Sequence, residues 1–191
     1  MRREMLSRAE LKLPDDKLGE LLRKRTAGMA SDKEADESHR DLAFIFELDT
    51  QVTAGGFAQY FFASSCTNAF DAWFASDVID GMTNELLSHA LRRLGIEYGV
   101  DLDLHRLISE GGGDALGKAY AQLIEIYQGA HQTSADLKDA FIAFVGRLEG
   151  DKQGAPGFDK INRQYLAEVD ADAAVAEHVR AEPEPFLSAR K

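Results

Sequence analysis

Apolar side chains recur every three or four residues along most of this chain, and each run halts near a glycine. That rhythm belongs to helices rather than strands. Leu137, Phe141, Phe144, Val145 and Leu148 fall at i, i+4, i+7, i+8 and i+11, one stripe of a helix that starts near Asp136 and stops at Gly150. Leu116, Tyr120, Leu123, Ile124 and Tyr127 make a second stripe, with Asp114 as N-cap after Gly111, Gly112 and Gly113, and Gly129 as its end. Leu86, Leu87, Ala90, Leu91 and Leu94 make a third, capped by Thr83 and stopped at Gly95. Phe70, Trp73, Phe74 and Val78 make a fourth, closed by Gly81. The expected fold class is all-α, a compact array of about seven to nine helices joined by Gly-marked turns.

The ends read differently. Leu18, Leu21 and Leu22 give a short amphipathic helix after Pro14 and Asp15. A polar stretch follows, read as a loop that passes into a helix near Ser31 or Asp32 and runs through Val52. A final long helix is expected from Phe158 to about Ala181, with Phe158, Ile161, Tyr165 and Val169 inward and Pro183 and Pro185 ending it. At 191 residues with 45% apolar content, the chain can bury a core without disulfides, and its single cysteine, Cys66, excludes an internal disulfide framework. No apolar run reaches the roughly 18 residues of a membrane span, and the first ten residues are too charged for a signal peptide. The expectation is a cytoplasmic protein with no membrane contact.

Nine of the 17 aromatic residues lie between Phe44 and Phe74, which marks this segment as the centre of the core. Phe57, Tyr60 and Phe61 share one helical face, and Gly55 and Gly56 just before them permit a sharp, close-packed corner. Base stacking on these rings would require a basic groove, and the surrounding sequence supplies none, so direct nucleic-acid binding is not expected.

Gly55, Gly56, Phe57, Gln59, Tyr60 and Phe61, followed by Ser64 and Ser65 in a small polar turn, resemble the hallmark of the DNA-mimic-protein-like family of bacterial helical domains. The resemblance covers about residues 40 to 150. It divides the chain into an N-terminal helical segment with a polar linker (1–38), the DNA-mimic-protein-like domain (39–150) and a C-terminal long helix with a tail (151–191). Family members often carry Asn before the Gly pair and before the Ser pair, where this chain has Ala54 and Ala63. The motif residues read as structural. The resemblance implies a helical, dimeric, non-enzymatic protein that imitates the charge of duplex DNA and occupies the DNA-binding face of a transcription regulator.

Charge distribution is the feature that bears on such a role. The formal net charge is −11, and residues 1–40 are nearly balanced, so the excess lies beyond them. No lysine or arginine occurs between Arg40 and Arg92, a stretch that carries Asp41, Glu47, Asp49, Asp71, Asp77, Asp80 and Glu85. Carboxylates fixed on a rigid helical surface attract a basic partner and compete for the lysines and arginines that otherwise hold DNA phosphates. Asp71, Asp77, Asp80, Glu85, Asp101, Asp103, Glu110 and Asp114 are the candidate partner-binding residues. A toxin neutralised by an immunity-like protein is a variant of the same reading. The alternative is a small-ligand-binding protein or enzyme that uses an aromatic pocket near Gly55–Phe61.

Catalytic and metal signatures are weak. Glu85 with His89, Asp101 with His105, and Asp36 with His39 have helical spacing for paired ligands, yet none sits in a recognised metal motif. Ser64, Ser65 and Cys66 lack a nucleophile elbow and a neighbouring histidine, and Gly111–Gly113 lacks the Lys-Ser/Thr of a phosphate loop. No catalytic residue, metal or cofactor is expected.

Overall fold

Asp80, Asp103, Asp136 and Asp170 each turn a carboxylate oxygen onto a backbone N–H two or three residues ahead and so begin a helix. In the computed structural model, which describes residues 6–63 and 66–187, there are eight α-helices and no strand among the described residues. They are α1 (Asp15–Thr26), α2 (Glu37–Ala63), α3 (Ala69–Ile79), α4 (Gly81–Tyr98), α5 (Leu104–Gln132), α6 (Leu137–Leu148), α7 (Phe158–Glu168) and α8 (Ala171–Ala181). The all-α expectation holds. Of the motif residues, Ser64 and Ser65 lie outside the described residues.

Several boundaries differ from the sequence reading. α4 is capped by Asp80 rather than Thr83, whose hydroxyl instead donates to Asp80 Oδ2 at 2.6 Å. The helix runs through Gly95 and stops at Gly99, where φ is 66°. Gly129 does not end α5, which continues to Gln132, and the helix also begins earlier, at Leu104 with Asp103 as its cap. Its only non-helical residue is Gly112 (φ 58°, ψ −148°), so Asp114 stands in the resumed helix after the break. α2 starts at Glu37, later than Ser31 or Asp32, because Met29–Ser31 forms a separate 3-10 turn. The long C-terminal helix is two helices. Val169 leaves helical geometry and Asp170 caps α8 afresh, so the second half buries Val175, Ala176 and Val179 and packs against α1.

α2 runs through the middle of the molecule and touches α1, α3, α5, α6, α7 and α8. It can do so because it bends at Gly55 and Gly56, the latter at φ 74°, ψ −178°, a conformation open only to glycine. Past the corner, Phe57 and Phe61 enter a cluster with Phe158 and Tyr165 of α7, with Tyr165 edge-on to Phe57 at 5.6 Å. Leu18 and Leu22 from the N-terminal segment and Ile161 and Val175 from the C-terminal one share a single apolar core with Phe57 and Leu91. Gly19 permits close contact between α1 and α8, because a Cβ there would lie 2.6 Å from the Asp172 Cα. The two ends meet where the Leu6 N–H donates to the Phe186 carbonyl at 2.8 Å.

Arg93 is fully buried on α4 and donates to the Arg147 and Gly150 carbonyls at 2.7 and 3.1 Å. It therefore satisfies the Arg147 carbonyl in the last turn of α6 and the Gly150 carbonyl just past it, where a cation is also favoured by the helix dipole.

Candidate functional site

The eight nominated carboxylates separate into two groups. Asp80 is occupied as the cap of α4. Asp103 caps α5 through the Arg106 N–H at 3.2 Å and pairs with Arg92 Nε at 3.5 Å. Asp101 pairs with the Arg106 guanidinium, which also donates to Glu110 at 2.8 Å. Asp101, Asp103 and Glu110, three carboxylates set against the guanidiniums of Arg92 and Arg106, thus form a largely paired cluster around the start of α5, one that sequence spacing alone could not distinguish from open charge.

Asp71, Asp77, Glu85 and Asp114 form the second group. All four are exposed, and no ion pair is formed by them among the described residues. The packed body behind Asp71 removes part of its water and raises its pKa, an effect that Arg40 opposes. Asp41 is raised chiefly by its own burial, with Glu37 and Asp71 adding like charge. Asp71, Phe74 and Val78 lie at i, i+3 and i+7 on α3, with Asp77 beside them. Periodicity assigns Phe74 and Val78 to an inward stripe, yet they are 47% and 69% exposed. The reason is that α3 faces the core at this level through Ala72, Ala75, Ser76 and, bulkiest of them, Trp73. Its indole N–H donates to Ser88 Oγ at 2.7 Å, and its ring meets Phe74 and His105 edge-on at 5.2 and 4.8 Å. Leu137 is a similar exception to the α6 stripe, at 59% exposed.

The motif residues take a structural position. Phe57, Tyr60 and Phe61 are at most 1% exposed, so their rings present no open aromatic surface. The Phe57 N–H, freed by the corner, donates to Asn162 Oδ1 of α7 at 2.9 Å. Gln59 Nε2 reaches back across the corner to Gln51 Oε1 at 3.5 Å. Tyr60 has a buried hydroxyl with no partner among the described residues, and burial pushes its pKa well up.

Two features carry little sequence signal. Arg23 of α1 gathers Asp49 of α2 at 2.8 Å and Asp172 of α8 at 3.1 Å, and Tyr165 of α7 donates to the same Asp49 at 3.3 Å. The second is a cleft of about 510 Å³ beside this network, between the end of α1, the Met29–Ser31 turn and the outer face of α2. Only the i, i+4 spacing of Phe46 and Thr50, with the neighbouring Gln51, hints at a polar face there. The histidine pairs do not gather into a metal set: among the described residues, no three His, Cys, Asp or Glu side chains stand together as ligands. No helix of the described residues is long and apolar enough to cross a membrane. Compared with known proteins, the chain matches no family model, no curated protein and no solved structure.

Proposed function

We propose that this chain is an acidic, non-enzymatic interaction protein of the cytoplasm whose α3 face docks a basic protein segment. The DNA-binding surface of a transcription regulator is the partner class that the DNA-mimic-protein-like resemblance favours. The observation that carries this reading is the exposed pair Phe74 and Val78, flanked by Asp71 and Asp77 with Glu85 of α4 nearby in the chain. An exposed apolar strip rimmed by one sign of charge suits an amphipathic helix with Lys and Arg at its edges. The stretch from 41 to 91 contains no lysine or arginine, and Arg40 just outside it acts on Asp71, so the remaining acidic excess adds long-range attraction for a basic partner. Since Asp80, Asp101, Asp103 and Glu110 are engaged inside the protein, recognition rests on Asp71, Asp77, Glu85 and the apolar pair rather than on the full set of eight.

The test is affinity capture with the tagged protein from the source cell, run in parallel with a Phe74→Ser/Val78→Ser variant and an Asp71→Asn/Asp77→Asn variant. The reading requires a basic DNA-binding protein that is retained by the native chain, released by duplex DNA and lost with both variants. Retention that survives both variants would remove the α3 face from consideration. Release by salt but not by duplex DNA would leave a basic partner and discard the DNA-mimic form.

A further inference from the structure

The cleft beside Arg23 has a chemistry of its own. It is formed by Ala43, Phe46, Glu47, Thr50 and Gln51 of α2, by the turn around Gly28 and Ser31, and by Asn68 at its far wall. Its volume, about 510 Å³, lies inside the range of roughly 300–1,000 Å³ that holds small organic ligands. Arg23 is the one cation among these lining residues.

Each of the five N–H groups of Arg23 is taken. Nε donates to Asp172, Nη1 to the Phe46 carbonyl and to Thr50 Oγ1, and Nη2 to Asp49 and Asp172, at distances from 2.8 to 3.4 Å. An anionic ligand therefore finds no free donor on this guanidinium, and Asp49 and Asp172 together outweigh its charge, with the lining Glu47 adding to the negative side. What remains is its plane. One face lies over the Phe46 ring at 4.5 Å, and the side chain is 29% exposed and lines the cleft. Where the edges of a guanidinium are satisfied, its plane can still stack a flat ring. The cleft is also lined by two side-chain amides, Gln51, which accepts from Gln59, and Asn68, which donates to Glu47 and keeps its oxygen and second N–H. The Thr50 and Ser31 hydroxyls line it as well and donate to the Phe46 and Gly28 carbonyls. Amides offer a donor and an acceptor together, the pattern that reads the edge of a nitrogen heterocycle.

We propose that this cleft binds a planar nitrogen heteroaromatic of the nucleobase class, as the free base or nucleoside and without a phosphate, stacked on the outer face of Arg23. The site is separate from the α3 face and does not depend on the docking reading. Binding would also hold Arg23 on Asp49 and Asp172, and so would brace α1, α2 and α8 together.

The experiment is calorimetric and NMR titration of the full chain with adenosine, guanosine, cytidine and uridine, with the matching monophosphates and ribose as controls. The expected result is saturable one-site binding of at least one nucleoside, no binding of ribose, and weaker binding of the monophosphate. Ser31→Trp, which fills the exposed rim, should weaken binding by about tenfold or more, and Gln51→Ala should weaken it about threefold or more, both with an unchanged melting temperature. The proposal fails if no nucleoside binds saturably, if the monophosphate binds as well as or better than the nucleoside, or if Gln51→Ala leaves affinity unaltered. Should Ser31→Trp perturb folding, Gln51→Ala decides by itself.

Discussion

Asn162 and Gly56 are fitted to each other across the corner of α2. The Asn162 amide carbon lies 2.7 Å from where a Cβ on Gly56 would stand, while its oxygen accepts the N–H of the next residue, Phe57, at 2.9 Å. Glycine is required there twice, for the backbone conformation and for the space. Gly56→Ala should therefore destabilise the protein by about 3 kcal/mol, combining strain at a glycine-only conformation with the lost space for the amide. Asn162→Ala should cost about 1–3 kcal/mol because the Phe57 N–H is left unsatisfied. In the double mutant the collision disappears but the backbone strain remains, so the sum should fall short of additivity. Urea midpoints of the four proteins check this, and strict additivity would contradict the fitted corner.

Glu10 supplies the clearest pH dependence. It accepts from the Ser7 N–H and hydroxyl at 2.7 and 2.9 Å and from Arg25 at 2.8 Å. The Arg25 contact leads these effects, and together they hold the Glu10 carboxyl down from 4.5 to about 2. A carboxylate depressed by folding contributes stability that is complete above its unfolded pKa and is lost as pH falls through the folded one. The native protein should thus lose stability between pH 4.5 and about 2 partly through this group. Glu10→Gln should be less stable than the native chain at about pH 6, with the gap closing at about pH 2.5. A gap that stays constant with pH would show that the carboxylate charge does not matter.

The fold is legible in the sequence wherever one residue type has one dominant use. Phe144 and Leu148 announce α6, and Gly55 with Gly56 announces the corner, because an apolar stripe at helical spacing and a glycine pair each serve one main structural purpose. Asp80 and Asp103 are harder to read, since an aspartate before a helix is equally an exposed charge or a cap, and only backbone geometry separates the two. The break at Val169 is hidden because its neighbours keep helical spacing on both sides. The α3 face is obscure for a related reason: Phe74 and Val78 fit the same stripe as Phe70, and the number of faces that neighbours cover is a tertiary fact. The cleft is the least visible, because Arg23, Phe46 and Asn68 come from three separate stretches of chain.

Cys66 should be chemically silent in the native state. It is buried, its thiol lies 3.9 Å from the Leu123 carbonyl, and burial alone pushes its pKa up. Thiolate is the reactive form, so modification requires opening of the surrounding structure. Labelling by a thiol reagent at neutral pH should be slow without denaturant, and should accelerate with urea in step with unfolding. Fast labelling of the folded protein would place the thiol at the surface and contradict its burial.

Trp73 is the single tryptophan and lies under the proposed docking face, so its fluorescence separates damage to the core from changes at the surface. Its indole N–H ends in a chain of buried bonds. Ser88 accepts it at 2.7 Å and donates onward to the Asn84 carbonyl at 2.8 Å, while Asn84 Nδ2 returns to the Trp73 carbonyl at 2.8 Å. Ser88→Ala leaves the indole N–H buried without an acceptor and should cost about 1–3 kcal/mol. Val78→Ser removes a mostly exposed side chain and should stay within about 0.5 kcal/mol of the native chain, while Phe74→Ser also loses the edge contact with Trp73 and should cost less than about 1 kcal/mol. Urea unfolding followed by Trp73 emission tests both together. If Phe74→Ser proves as costly as Ser88→Ala, then Phe74 belongs to the core, and the α3 strip loses its standing as a surface free to receive a partner.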